Sequence, residues 1–133
     1  MDIAMCVIDR ESGQLSFAGA NRPLWIVRDG QYLDIKPDKF PIGGLQLKKD
    51  AVFTAHEVVL QKNDSIYMFT DGFADQFGGP DGKKLLSKRL REKLISIQHL
   101  PMKTQGENLG QYFHDWKGQY AQVDDVLVIG FRI

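Results

Sequence analysis

The stretch Ile66-Tyr-Met-Phe-Thr-Asp-Gly-Phe-Ala-Asp75 passes from four apolar residues through Thr70 into an acid and a glycine. Its first half reads as a short strand, because aromatic and β-branched side chains suit a pleated, half-buried surface. Asp71-Gly72 then either turns the chain or holds something at the strand end. The plainer alternative is the turn, since both residue types adopt turn geometry readily.

A counterpart lies near the C-terminus. In "VDDVLVIGFRI", Val123 to Ile133, two adjacent acids precede a run so apolar that both of its faces are expected to be covered. If this strand and Ile66–Thr70 are antiparallel neighbours, the end of one lies beside the start of the other, and Asp71 meets Asp124 and Asp125 at one edge of a sheet. Carboxylates brought together there repel unless one is protonated or a cation lies between them, and hard oxygen donors suit Mg²⁺ or Mn²⁺. Asp124 as a simple cap or turn residue is the corresponding plain alternative.

Outward from these two stretches, the N-terminal half reads as an antiparallel meander of short strands: "DIAMCVID" from Asp2, "LSFAGA" after the "ESGQ" turn, "LWIVR", and "QYLDI" after Asp29-Gly30. "KPDKFPIGGLQLKK", Lys36 to Lys49, carries two prolines and a Gly-Gly pair and is expected to be a loop over the sheet. Strands resume at "AVFTAHEVVL", Ala51 to Leu60, and at "SIYMFT". From Lys83 the period changes, and Leu86, Leu90, Leu94 and Ile97 recur at helical spacing with one buried face. A second helix is predicted from the capping-box spacing of Thr104 and Glu107, with Leu109, Phe113 and Trp116 on its core face. Many strands, two helices and a final strand give an α+β class: antiparallel sheet or sheets with two helices, in a single unit over residues 1–133.

Composition narrows the function classes. The 43% hydrophobic and 11% aromatic content supports a core, and 17 basic against 17 acidic residues leave no net field to favour nucleic acid or an anionic membrane. Cys6, the single cysteine, lies in the apolar run "IAMCVI" and reads as a small buried hydrophobe, so a disulfide framework is excluded. His56, His99 and His114 lack zinc spacing, and no serine elbow, phosphate-binding Gly-Lys loop or dinucleotide fingerprint is present. With neither a spanning apolar run nor a signal-peptide pattern, the expected location is the cytoplasm.

Four segments in order then carry a resemblance: "AGANRPLW" (Ala18 to Trp25), "FPIGG" (Phe40 to Gly44), "FTDGFAD" (Phe69 to Asp75) and "QVDDVLVIG" (Gln122 to Gly130). Together they resemble the C-terminal half of SpoIIE/RsbU-type serine/threonine phosphatases, the bacterial branch of the metal-dependent PPM phosphatases. The resemblance implies a partial α-β-β-α sandwich, with Asp71 and Asp124 as metal-ligating aspartates. It makes Gly72, Asp75 and Asp125 neighbours of the metal site, and Asn21 and Arg22 candidates on a substrate-facing loop. The implied cofactors are two Mn²⁺ or Mg²⁺ ions in the intact domain, activating a water that attacks the phosphorus of phosphoserine or phosphothreonine.

Two departures from the pattern are Ala20, where the family often has His, and Arg22, where it often has Pro. The family's Asp-x-x-Gly-His-Gly-like segment, with the aspartate that bridges both metals, has no counterpart, and nothing before Cys6 is expected to supply it. The resemblance therefore implies the C-terminal part of a domain, with little turnover alone. Its expected partners are the N-terminal half of the domain, a phosphorylated protein like an anti-sigma-factor antagonist, and a second copy in a homodimer. A non-catalytic interaction module, or a pseudophosphatase fragment, is the alternative from another class. It would use the Asn21–Trp25 and Phe40–Leu45 loops without need of metal. A structural domain whose acids are turn residues only is a third.

Overall fold

The computed structural model describes residues 1–43 and 52–133. Its elements run β1 (Ile3–Asp9), β2 (Gln14–Ala20), β3 (Leu24–Arg28), β4 (Gln31–Ile35), β5 (His56–Val59), β6 (Ser65–Phe69), α1 (Gly72–Asp75), β7 (Phe77–Gly78), β8 (Lys83–Lys84), α2 (Leu86–Ile97), α3 (Met102–Lys117) and β9 (Val128–Arg132). The chain is thus α+β with antiparallel sheets, as its pattern predicts. Residues Gly44 to Lys49 of the predicted loop, and Ala51 of the predicted strand, lie outside the described residues.

The meander divides between two sheets, as the sandwich implied by the resemblance requires. One has the order β1-β2-β5 and the other β4-β3-β6-β9, with β7 and β8 forming a small ribbon of their own. The crossing falls at Asn21-Arg22-Pro23. Asn21 is left-handed, at φ 58°, and Pro23 carries no N–H to continue a ladder, so β3 leaves the plane of β2. Asp38 braces this corner: its N–H donates to the Gly19 carbonyl and its own carbonyl accepts from the Asn21 N–H at 2.8 Å.

Alternation along β3 and β6 creates three layers. Leu24, Ile26 and Ile66 face Leu15 and Phe17 of the first sheet, filling the space between sheets. Trp25, Val27 and Tyr67 point the other way, onto Leu90, Leu94, Ile97 and Leu109 of the helices. Each fully buried aliphatic of this kind contributes roughly 1.5–3 kcal/mol. The central position of β3 and β6 follows from being apolar on both faces, which only a strand covered on both sides tolerates.

Three expectations are corrected. Leu86 does not join the core face of α2; it is 56% exposed, and Leu85 is buried in its place because Leu86 takes a positive φ of 71° where the helix starts. The Thr104–Glu107 capping box does not form, since the N-cap is Pro101, three residues earlier, whose fixed φ of −56° suits entry into a helix. The final strand is not covered on both faces: among the described residues β9 pairs with β6 alone, at the sheet edge, and Ile129 is 45% exposed. Phe113 and Trp116 pack against the helix-side core, as predicted. Cys6 is half-buried, with burial pushing its thiol pKa up.

Candidate active site

The β6–β9 ladder runs from Ser65 opposite Arg132 to Phe69 opposite Val128, so the end of β6 lies against the segment leading into β9. Thr70 extends the pairing beyond the regular strand. Its N–H donates to the Leu127 carbonyl at 3.0 Å, its hydroxyl donates to the Asp125 carbonyl at 2.8 Å, and Thr70 Oγ1 in turn accepts from the Leu127 N–H at 3.0 Å.

The next two residues use this proximity. Gly72 opens α1 where a Cβ would stand 2.4 Å from the Asp125 carbonyl oxygen, so only glycine lets the 124–125 backbone approach so closely. Asp71 precedes it at the helix N-cap position, yet its side chain makes no capping bond. Its carboxylate is left to face the sheet edge, half exposed.

What that carboxylate meets is Arg22. Arg22 Nη2 donates to Asp71 Oδ2 at 2.6 Å and to Asp2 Oδ2 at 3.0 Å, bridging acids from the two sheets. This hydrogen bond, with the guanidinium charge adding to it, holds the Asp71 carboxyl below the ordinary carboxylate range against a smaller opposing effect of burial. Asn21 completes the corner, its Nδ2 donating to Asp2 Oδ1 at 3.0 Å. Gly19 permits the fold of this loop, since a Cβ there would stand 2.4 Å from the Arg22 carbonyl oxygen.

The other predicted residues divide. Asp124 and Asp125 lie on the exposed segment beside Gly72; the Asp124 carboxylate accepts from the Asp125 N–H at 2.7 Å, and Gln122 Nε2 donates to the Asp124 carbonyl. Asp75 turns away from this group and pairs with Lys84 Nζ of β8 at 3.2 Å. Asp2 escapes the sequence reading altogether. The available signal was the position of an acid directly before a strand that pairs with the Asn21–Arg22 end of β2, but that pairing is visible only in the register Ile3 opposite Ala20.

Beside the acids is a cavity of about 220 Å³, lined by Asp2, Arg22, Thr70, Leu127 and Ile129 among others. Asp71, Asp124 and Asp2 supply hard oxygen donors of the kind divalent cations select. Among the described residues, however, no three acids, histidines or cysteines are grouped closely enough to hold an ion. The donor chemistry fits a divalent cation; the described residues do not close its coordination by themselves.

Comparison with known proteins places the chain in a family. The family model of stage II sporulation protein E (SpoIIE) matches residues 1–133, and the chain belongs to that family. The SiaA-PP2C domain of Pseudomonas aeruginosa has the same fold at a TM-score of 0.90 and 31% identity, over 99% of this chain and 51% of that one. The phosphatase domain of SpoIIE from Bacillus subtilis, Mn presoaked, matches at a TM-score of 0.73 and 18% identity, over 100% of this chain and 56% of that one. The RsbU and RsbW domains of Rv1364c from Mycobacterium tuberculosis match at 0.76 and 19% identity, over 98% of this chain and 35% of that one. The chain thus spans about half, or less, of the structures it matches. Among curated proteins none matches it.

No helix among the described residues is long and apolar enough to cross a membrane.

Proposed function

We propose that this chain is the C-terminal part of a Mn²⁺- or Mg²⁺-dependent protein serine/threonine phosphatase domain, contributing one side of its active site. The observation that carries the reading is the Thr70–Gly72 corner, which brings the Asp71 end of β6 against the backbone of Asp124 and Asp125. Acid-bearing ends brought to one sheet edge can place their carboxylates on a shared divalent cation.

In this reading Asp71 and Asp124 would hold the metal, and the rest of the domain adds the remaining ligands. When bound, the metal ions activate water for attack on a phosphomonoester. The chain's own residues set the geometry. Thr70 and Gly72 fix the spacing between the two acid-bearing segments, and Asp125 orders the loop through its backbone. Asn21 and Arg22 stand at the same mouth, where a guanidinium suits the oxygens of a phosphoryl group. Asp75, paired with Lys84, steadies the α1–β8 region behind Gly72.

The half-length coverage supports an upstream half of the domain as the first partner. Met5, Val7 and Val59, which are 57%, 62% and 71% exposed, give the first sheet an uncovered apolar row for that half, or for a second copy, to meet. The substrate in this reading is a phosphorylated regulatory protein of the anti-sigma-factor-antagonist kind, in the cytoplasm.

The test is Mn²⁺-dependent dephosphorylation of a phosphoserine protein by the chain joined to its upstream half, beside Asp71→Asn and an EDTA control. Activity lost in both controls supports the reading. Activity that survives Asp71→Asn with folding intact overturns it.

A further inference from the structure

Arg22 occupies an unusual place. A single nitrogen, Nη2, lies within hydrogen-bond reach of one carboxylate oxygen from Asp2 and one from Asp71, at 3.0 and 2.6 Å. Those acids come from different sheets, one just before β1 and one just after β6. A cation that bound Asp71 would have to compete with this guanidinium for the same carboxylate.

We propose that Arg22 is a resident cation: its guanidinium holds Asp71 and Asp2 together until a divalent metal displaces it. The inference rests on the reading of Asp71 as a metal ligand. It goes further in making metal binding a competition with a side chain.

Two features of the corner support it. The Arg22 side chain is 23% exposed, so it has solvent to swing into. Its backbone, by contrast, is held: Asn21 is fixed by its bonds to Asp2 and Asp38, and the Arg22 carbonyl packs over Gly19. Displacement therefore moves the side chain alone and leaves the charged group at the cavity mouth, free to meet a phosphoryl group.

The test is calorimetric titration with Mn²⁺ of the chain joined to its upstream half, comparing the unaltered protein with Arg22→Gln, Arg22→Lys and Asp71→Asn. Removing the competitor is expected to tighten Mn²⁺ binding at least about fivefold in Arg22→Gln, with Arg22→Lys between. Asp71→Asn is expected to abolish binding. Equal or weaker binding in Arg22→Gln overturns the competition, and if Asp71→Asn still abolishes binding the phosphatase reading stands. Unchanged binding in Asp71→Asn overturns both, as does the absence of binding in every variant. Circular dichroism reports whether Arg22→Gln folds. If it does not, NMR of the unaltered protein joined to its upstream half decides: saturating Mg²⁺ should shift the Arg22 guanidinium signal, and an unmoved Arg22 signal overturns the proposal.

Discussion

Thr70 ties itself to Asp125 across the end of a strand ladder, its hydroxyl donating to the Asp125 carbonyl at 2.8 Å while accepting from the Leu127 N–H. One side chain thereby extends the β6–β9 pairing by a step and holds the acid-bearing segment beside Gly72. In Thr70→Val the isosteric methyl keeps the packing and removes both bonds. These bonds are exposed, so water replaces them and the loss is expected to be only about 1 kcal/mol in chemical denaturation. The same variant should weaken Mn²⁺ binding more than its stability change alone accounts for, measured by calorimetry.

Gly72→Ala probes the same contact by steric means. The added Cβ meets backbone, not a flexible side chain, at 2.4 Å from the Asp125 carbonyl oxygen. The 124–125 segment must retreat, at about 1–3 kcal/mol in unfolding free energy. Amide chemical shifts of Val123 to Leu127 should move while those of β1 and β2 stay in place.

Asp64 gives the clearest pH dependence. Burial alone would raise its carboxyl pKa, but the Arg28 hydrogen bonds, at 2.8 and 2.6 Å, and the Gln61 N–H outweigh it and lower it. A pKa lowered in the folded state stabilises the fold above the unfolded value, near about 4, and that stability is lost as pH falls through the folded value. Melting temperature should therefore drop below about pH 4. In Asp64→Asn, with a fully buried side chain at this position, this acid-dependent part should vanish and stability should fall by about 2–4 kcal/mol at neutral pH.

Asp71 should titrate differently once its partner is gone. Arg22 lowers its carboxyl pKa, so Arg22→Gln should move the titration of Asp71 upward, toward the ordinary carboxylate range. Carbon-13 NMR of the side-chain carboxyl checks this. Because Asp71 is 43% exposed, solvent screens the pair, and the accompanying loss of stability should stay within about 1 kcal/mol.

Tyr67 tests the join between sheet and helices. Its hydroxyl donates to Gln105 Oε1 at 2.5 Å, and the Gln105 amide in turn donates to the Gln98 and Leu100 carbonyls. Tyr67→Phe leaves the buried Gln105 oxygen without its donor, a loss of about 1–3 kcal/mol in denaturant unfolding.

What was legible in the chain follows the range of the interactions involved. The Ile66–Phe69 strand, the helix through Leu90, Leu94 and Ile97, and the acids at Asp71, Asp124 and Asp125 are written in periodicity and short motifs, because each depends on neighbours a few residues away. Leu86 and the Thr104–Glu107 box were misread for a related reason: helix starts depend on one or two backbone angles, which spacing does not encode. The edge position of β9 was misread because apolar content cannot distinguish a strand covered by its own chain from one whose face is left open.

By itself, the sequence determined the α+β class, the family and the order of its motifs, since these rest on local patterns that survive without coordinates. Only the tertiary structure decided that the strands divide between two sheets at Asn21-Arg22-Pro23, that Asp75 turns to Lys84, and that Asp2 and Asp71, 69 positions apart by number, share the Arg22 guanidinium. The physical reason is that charge pairing acts through space. Which acids meet is set by strand register and by the corner that folds one sheet over the other, and neither is written at the positions of the acids themselves.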